Sequence, residues 1–223
     1  MKYIVAFVLV FVFVVSGVPM VRVANHESAD ATTASLDQMI NINLSDATLL
    51  LALNKLAGVY RVPIGFERAL DSRENPNRQI HLEPGTLKKI LDSLVAQEPG
   101  YKWELREGAI NIIPVLGRDQ FLEQFLDMRV AQFEPPRGTT DKFKIRDAVL
   151  ALPEVRQLLK ANNVAVRPYD YPYRRSIYSN DDVHLEITNT DVRGLLNHIA
   201  KETEHKIWSL ERVGEKGELL LSY

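Results

Sequence analysis

Apolar residues recur at helical spacing in two places that share the same surroundings. Two sets of four apolar residues are spaced i, i+3, i+4, i+7, which forms one face of a helix: Leu87, Ile90, Leu91 and Leu94, and again Val192, Leu195, Leu196 and Ile199. A strand pattern containing His-Leu-Glu precedes each helix, at 80–83 and at 183–186, and a tryptophan, Trp103 or Trp208, follows each at the same distance. The pattern predicts two copies of one module.

The first copy has the predicted order β-α-β-β-α-β-β. Alternation around Ile42 predicts a half-buried strand at 40–44, Ser45 is placed to cap the helix that follows, and Gly58 to end it. Thr86 is the predicted cap of a second helix that runs to about Ala96. Strand alternation at 101–105 then leads to a hairpin turn at Glu107-Gly108.

The second copy is more irregular. Pro153 interrupts a helical pattern, because proline removes a backbone donor, so two short helices are expected there. Val164 and Val166 predict a strand, and a hairpin is expected around the turn at 214–217. The predicted fold class is therefore α+β, with two small βαββαββ-type modules that each pack helices on a short sheet.

The N-terminus predicts export. Lys2 precedes an almost wholly apolar run, Tyr3 to Val15, which small residues and Pro19 follow, as in a secretory signal. An uncleaved membrane anchor is the alternative, because the run approaches the roughly 20 residues that cross a bilayer. The predicted organisation is a signal or anchor at 1–24, a linker at 25–37, and modules at 38–116 and 117–223.

Composition narrows the function classes. The net charge of -2 gives no reason to expect a nucleic-acid partner, which calls for a basic surface. The chain contains no cysteine, so it has neither disulfides nor a lipoprotein anchor site. Its 46% hydrophobic and 25% charged residues are ordinary for a globular protein.

Candidate chemistry is sparse. His81 and His184 hold equivalent positions in the two His-Leu-Glu patterns, where alternation favours partly exposed structural residues over ligands. His184, His198 and His205 do not form a metal-binding pattern. No nucleophile elbow or phosphate-binding glycine loop is present, so no catalytic, cofactor-binding or metal residue is assigned and no enzyme is expected. Trp103 and Trp208 are expected to cover the helices before them.

One loop stands out as a recognition candidate. Between 169 and 178 the chain interleaves tyrosines with arginines, the residue types that dominate interface hot spots: Tyr169, Tyr171, Tyr173, Arg174, Arg175 and Tyr178. The loop is longer and more aromatic than its first-copy counterpart. A partner-binding surface and a loop packed on its own module are both open readings.

The first copy resembles the short N-terminal domain shared by secretins and TonB-dependent receptors. The resemblance covers about residues 40–115, from Ile42-Asn43-Leu44-Ser45-Asp46 to Ile112-Ile113-Pro114, with its centre at 80–91 and the hairpin that begins Tyr101-Lys102-Trp103. It implies a periplasmic domain that mediates protein contacts, although no secretin or receptor barrel pattern follows.

We therefore expect an exported cell-envelope protein that acts as a non-enzymatic protein-binding or assembly module. β-Augmentation at an exposed sheet edge is a plausible mechanism. The alternative is a periplasmic small-ligand binder or enzyme that uses a cleft between the two modules. The sequence names neither the envelope partner nor the oligomeric state.

Overall fold

The computed structural model describes residues 35–70, 79–135, 141–168, 185–214 and 216–223. The predicted export segment, His184 and all six residues of the tyrosine–arginine loop lie outside these ranges. Among the described residues, no helix combines the length and apolarity needed to cross a membrane. The described residues all belong to one compact unit.

The described residues form an α+β fold, as predicted, while the division into two βαββαββ-type modules stays a prediction. In chain order the strands are β1 (Met39–Ile40), β2 (Leu44–Ala47), β3 (Ile64–Glu67), β4 (Ile80–Leu82), β5 (Gly85–Thr86), β6 (Tyr101–Arg106), β7 (Ala109–Pro114), β8 (Arg129–Phe133), β9 (Ile187–Asp191), β10 (Ile207–Val213) and β11 (Glu218–Ser222). The helices are α1 (Leu49–Tyr60), α2 (Leu87–Gln97), α3 (Gln120–Leu126), α4 (Lys142–Ala151), α5 (Pro153–Ala161) and α6 (Val192–Glu202).

Two boundaries of α1 differ from the sequence prediction. The cap is Thr48, whose side chain accepts a hydrogen bond from the Leu51 N–H at 3.3 Å, while Ser45 lies in β2. The helix continues through Gly58 because the left-handed residue that ends it is Arg61, with φ of 58°. The predictions for Ser45 and Gly58 are therefore wrong.

Turn and cap chemistry was predicted correctly in three other places. The Thr86 hydroxyl accepts from the Lys89 N–H and caps α2. Glu107 and Gly108 both have positive φ, which is the geometry of a two-residue hairpin turn. Pro153 separates α4 from α5 and stands at the first position of α5, where its missing N–H costs nothing.

A five-stranded sheet joins the two halves of the chain, in the order β11-β10-β3-β7-β6. Its central strand β3 runs parallel to both neighbours, β7 and β10. The two hairpins, β6-β7 and β10-β11, are antiparallel. The strand predicted at Val164–Val166 is reduced to one parallel bridge between Val166 and Leu219, so it adjoins the outer side of β11.

The sheet has a hydrophobic core on each face. Ile207 packs in the core formed by α1 and α2, whereas the next residue, Trp208, packs in the core formed with α3 to α6. Successive strand residues point to opposite faces, so the two cores lie on opposite sides of the sheet. Consequently α2 and α6 cover opposite faces.

The described part of the second His-Leu-Glu motif, Leu185 and Glu186, precedes strand β9 and is not part of it. Strand β9 begins only at Ile187 and pairs antiparallel with β8, with Phe133 opposite Ile187 and Arg129 opposite Asp191. Because β9 continues to the cap of α6, the residue six positions before that helix is Glu186, as His81 is six positions before α2. The two His-Leu-Glu motifs are therefore offset by two residues relative to the helices, and the equivalence of His81 and His184 stays a prediction because His184 lies outside the described residues.

Candidate protein-binding edge

Helices α2 and α6 repeat one local arrangement. Each has eleven residues, and each begins at a side-chain cap, Thr86 or Asp191, that accepts a backbone N–H three residues on. The predicted apolar positions are buried in both helices, at Leu87, Ile90, Leu91 and Leu94 and at Val192, Leu195, Leu196 and Ile199. The two helices therefore bury matching faces.

The tryptophan that follows each helix is held by the same bond. Trp103 Nε1 donates to Asp92 Oδ1 at 3.0 Å, and Trp208 Nε1 donates to Asn197 Oδ1 at 3.0 Å. In both cases the acceptor precedes the tryptophan by eleven residues. Strands β6 and β10 therefore have matching positions beneath their helices, and residues on them can be compared one by one.

The outer edge of β10 is filled by β3. Ile207, Trp208 and Leu210 lie opposite Ile64, Gly65 and Glu67, respectively. The Ile64 N–H donates to the Lys206 carbonyl at 2.7 Å, and the Arg68 N–H donates to the Leu210 carbonyl at 3.0 Å. A Cβ at Gly65 would lie 2.3 Å from the Trp208 ring, so this position admits no side chain while the ring stays in place.

Helix α6 reaches beyond its own hairpin and covers β3. The Arg193 guanidinium bonds the Glu67 carboxylate, and both side chains are about 95% buried. Burial lowers the pKa of Arg193 to about 10, which leaves it charged at neutral pH. At the start of α6, Asp191 pairs with Arg106 at 2.5 Å. The boundary between the two halves is therefore a packed and paired surface in the described part of the chain.

Strand β6 presents the matching edge without a neighbour: within the described ranges it is the last strand of the sheet. Arg106 and Ala109 close the two-residue turn as a hydrogen-bonded pair, so the backbone groups of even-numbered β6 residues face β7. Those of Trp103 and Leu105 point outward, and we call these groups the β6 edge, whereas the Tyr101 N–H donates to the Glu98 carbonyl at 2.9 Å. Leu105 is 44% exposed and Trp103 is half-buried, whereas Trp208 is fully buried.

Charged residues of α2 flank the β6 edge. Lys88 Nζ donates to Asp92 Oδ2 at 2.7 Å, and both side chains are about half exposed. The bonds from Lys88 and from Trp103 lower the pKa of Asp92 below its ordinary value. Lys88 and Asp92 hold the positions in α2 that Arg193 and Asn197 hold in α6, so the same helix face is charged and exposed in α2 but buried in α6.

His81 lies on the exposed face of β4, as alternation predicts, with its side chain 60% exposed. Its backbone N–H and carbonyl both bond the Gln97 side-chain amide at 2.8 Å, which closes this strand edge. An open cavity of about 290 Å³ lies beside it, lined by His81, Leu82, Glu83, Lys89, Ile90, Ser93 and Gln97. In the described ranges, no three His, Cys, Asp or Glu side chains lie close enough together to hold a metal ion.

The sequence missed the β6 edge although it predicted the strand. The signal that could have found it is the contrast between Lys88 and Arg193, or Asp92 and Asn197, at matching helix positions. The tyrosine–arginine loop lies outside the described residues and stays a prediction. Comparison with known proteins returned no match, whether to a family model, a curated protein or a solved structure. The resemblance to the secretin and TonB-receptor domain also stays a prediction.

Proposed function

We propose that this chain is an exported, non-enzymatic protein-binding or assembly module of the cell envelope, and that its β6 edge takes up a strand of a partner protein. One observation carries the proposal: the same chain already uses the matching edge, on β10, to take up β3. An unpaired strand edge offers a row of backbone donors and acceptors to any extended chain. Main-chain bonds then supply affinity, and side-chain pockets supply selectivity.

Two further features support the proposal. The β6 edge carries Trp103 and the exposed Leu105, side chains that bury much apolar area when a partner covers them. The N-terminal charged and apolar segment supports export, since it has the form of a secretory signal or anchor. The tyrosine–arginine loop is a second candidate contact, because its residue types are those of interface hot spots.

Photo-crosslinking in the native host tests this proposal. A benzophenone amino acid is placed at Leu105 in the full chain, and at Val115 in a matched control, because both side chains are 44% exposed but Val115 follows the end of β7. We expect a protein adduct from position 105 in the envelope fraction and little from position 115. A second variant, Trp103→Pro, removes one outward N–H of the edge strand and should abolish the adduct. Equal yields from both positions, or recovery only in the cytoplasm, would refute the proposal.

A further inference from the structure

The contact between β3 and β10 shows what this type of edge selects. The strand on β10 has glycine opposite Trp208, because the indole ring fills the space of a Cβ. Opposite Leu210 it has Glu67, whose carboxylate meets Arg193 from the overhanging helix α6. The β10 edge therefore selects the paired strand at two positions. The position of Gly65 requires a small residue, and the position of Glu67 requires a negative charge.

The β6 edge has the same two selecting groups, a tryptophan on the strand and a cation on the helix. Trp103 is fixed to α2 by the bond that fixes Trp208 to α6, so the helix and strand keep the same relation. In α2, Lys88 follows the capping residue at the position of Arg193 in α6. It carries the same charge and is exposed. Beyond β6, Trp103 thus faces the position that Gly65 fills on β10, and Lys88 faces the position of Glu67.

We infer that the β6 edge binds a parallel strand of a partner protein that has a small residue opposite Trp103 and a carboxylate opposite Leu105, with Lys88 as the pairing cation. This inference rests on the proposed function and specifies the partner's chemistry. An exposed pair is weaker than a buried one, and Asp92 already shares the Lys88 ammonium. The strand therefore docks reversibly, whereas β3 is permanently held on β10.

The chain itself supplies the probe. A blocked, fluorescently labelled peptide with the sequence of residues 62–68, Val-Pro-Ile-Gly-Phe-Glu-Arg, carries the β3 pattern. It is titrated against the full chain in mild detergent, and anisotropy reports binding. Replacing the peptide glycine by valine should weaken binding at least about tenfold, because the added side chain meets the Trp103 ring. Replacing its glutamate by lysine should weaken binding about tenfold through like-charge contact with Lys88.

A charge exchange makes the test specific. Lys88→Glu in the chain should weaken binding of the peptide that has glutamate. It should restore binding of the peptide that has lysine to within about threefold of the affinity between the unmodified chain and the glutamate peptide. Lys160 is an exposed lysine at the end of α5, and Lys160→Glu changes the net charge by the same amount. This control should alter the binding of neither peptide. Circular dichroism of each variant checks that the fold is retained.

The outcomes separate this inference from the proposed function. No peptide binding, or binding indifferent to the glycine and to the charge exchange, overturns the inference. If the Leu105 adduct persists in that case, the edge still binds a protein, but of different chemistry. Loss of the adduct as well overturns both. Self-association of the chain that survives Lys88→Glu and is blocked by Trp103→Pro would assign the edge to a second copy and also overturn the inference.

Discussion

The two tryptophan-bearing units of this protein, α2 with β6 and α6 with β10, have the same local construction but different surroundings. In the α6 unit, eight of the eleven helix residues are buried, against four in the α2 unit. The additional buried residues include Arg193, Gly194 and Asn197, which face the first half of the chain. Their counterparts in α2 are Lys88, Lys89 and Asp92, all exposed.

This difference in burial between the two helices indicates what a strand edge requires to be permanently paired. A docked strand brings desolvation of everything that faces it, so the overhanging helix residues must be small, neutral or ion-paired. Charged and solvated residues at the same positions keep the edge from pairing irreversibly with other chains. Substitutions at matching positions can break or sharpen this comparison.

The ion pair should show the largest difference. Arg193→Ala leaves the Glu67 carboxylate buried without its partner and should cost about 3 to 5 kcal/mol of unfolding free energy. Lys88→Ala removes an exposed pair and should change the unfolding free energy by less than about 0.5 kcal/mol. Urea unfolding of the full chain, followed by circular dichroism, measures both.

A double variant controls for the packing of Arg193. Glu67→Leu combined with Arg193→Met removes both charges and should recover most of the stability that Arg193→Ala loses. A loss below about 1 kcal/mol for Arg193→Ala alone would mean that Glu67 is solvated in solution, and that the boundary between the halves is not dry.

The two tryptophans should differ next. Trp208→Ala empties a fully buried site and strips Asn197 of its donor, so it should cost about 3 to 5 kcal/mol. Trp103→Ala removes a half-buried ring at the sheet edge and should cost only about 1 kcal/mol. Urea unfolding measures both losses of unfolding free energy. Trp→Phe at each position separates the effect of lost buried apolar area from that of the lost hydrogen bond. Equal costs would show that the β6 edge is covered in solution.

Local pattern predicted the elements well, because their causes are local. The periodicity of 87–94 and 192–199, the Thr86 cap, the Glu107-Gly108 turn and the break at Pro153 all depend on neighbours within a few residues. Errors arose where two local signals competed. Ser45 and Gly58 have capping chemistry, but Thr48 and Arg61 lie where α1 actually begins and ends.

The sheet order could not be read from the pattern, since it depends on contacts between distant residues. Nothing local tells that β10 pairs with β3 while β6 stays at the end of the sheet. The His-Leu-Glu match was also a poor guide to the second strand, because the motif lies two residues farther from α6 than from α2 and β9 begins only after it. The sequence shows that α2 is more polar than α6 at matching positions. Only the sheet order shows that these polar residues flank a strand at the end of the sheet.

The smallest expected effect concerns Asp92, the titrating counterpart of Asn197. Its pKa is lowered from the ordinary value of 3.8, first by the bond from Lys88 and then by the bond from Trp103. A lowered folded-state pKa means that the bonds stabilise the fold above the ordinary value, and that this contribution disappears as the pH falls through the lower folded value. Lys88→Ala should therefore raise the pKa of Asp92 more than Trp103→Phe does, as read from carboxyl ¹³C shifts.

Asp92→Asn makes α2 resemble α6 and should keep the Trp103 bond while removing this titration. An Asp92 that titrates at 3.8 in the unmodified chain would show that the bonds are absent in solution, and the matched geometry of the two units would fail at its most exposed point.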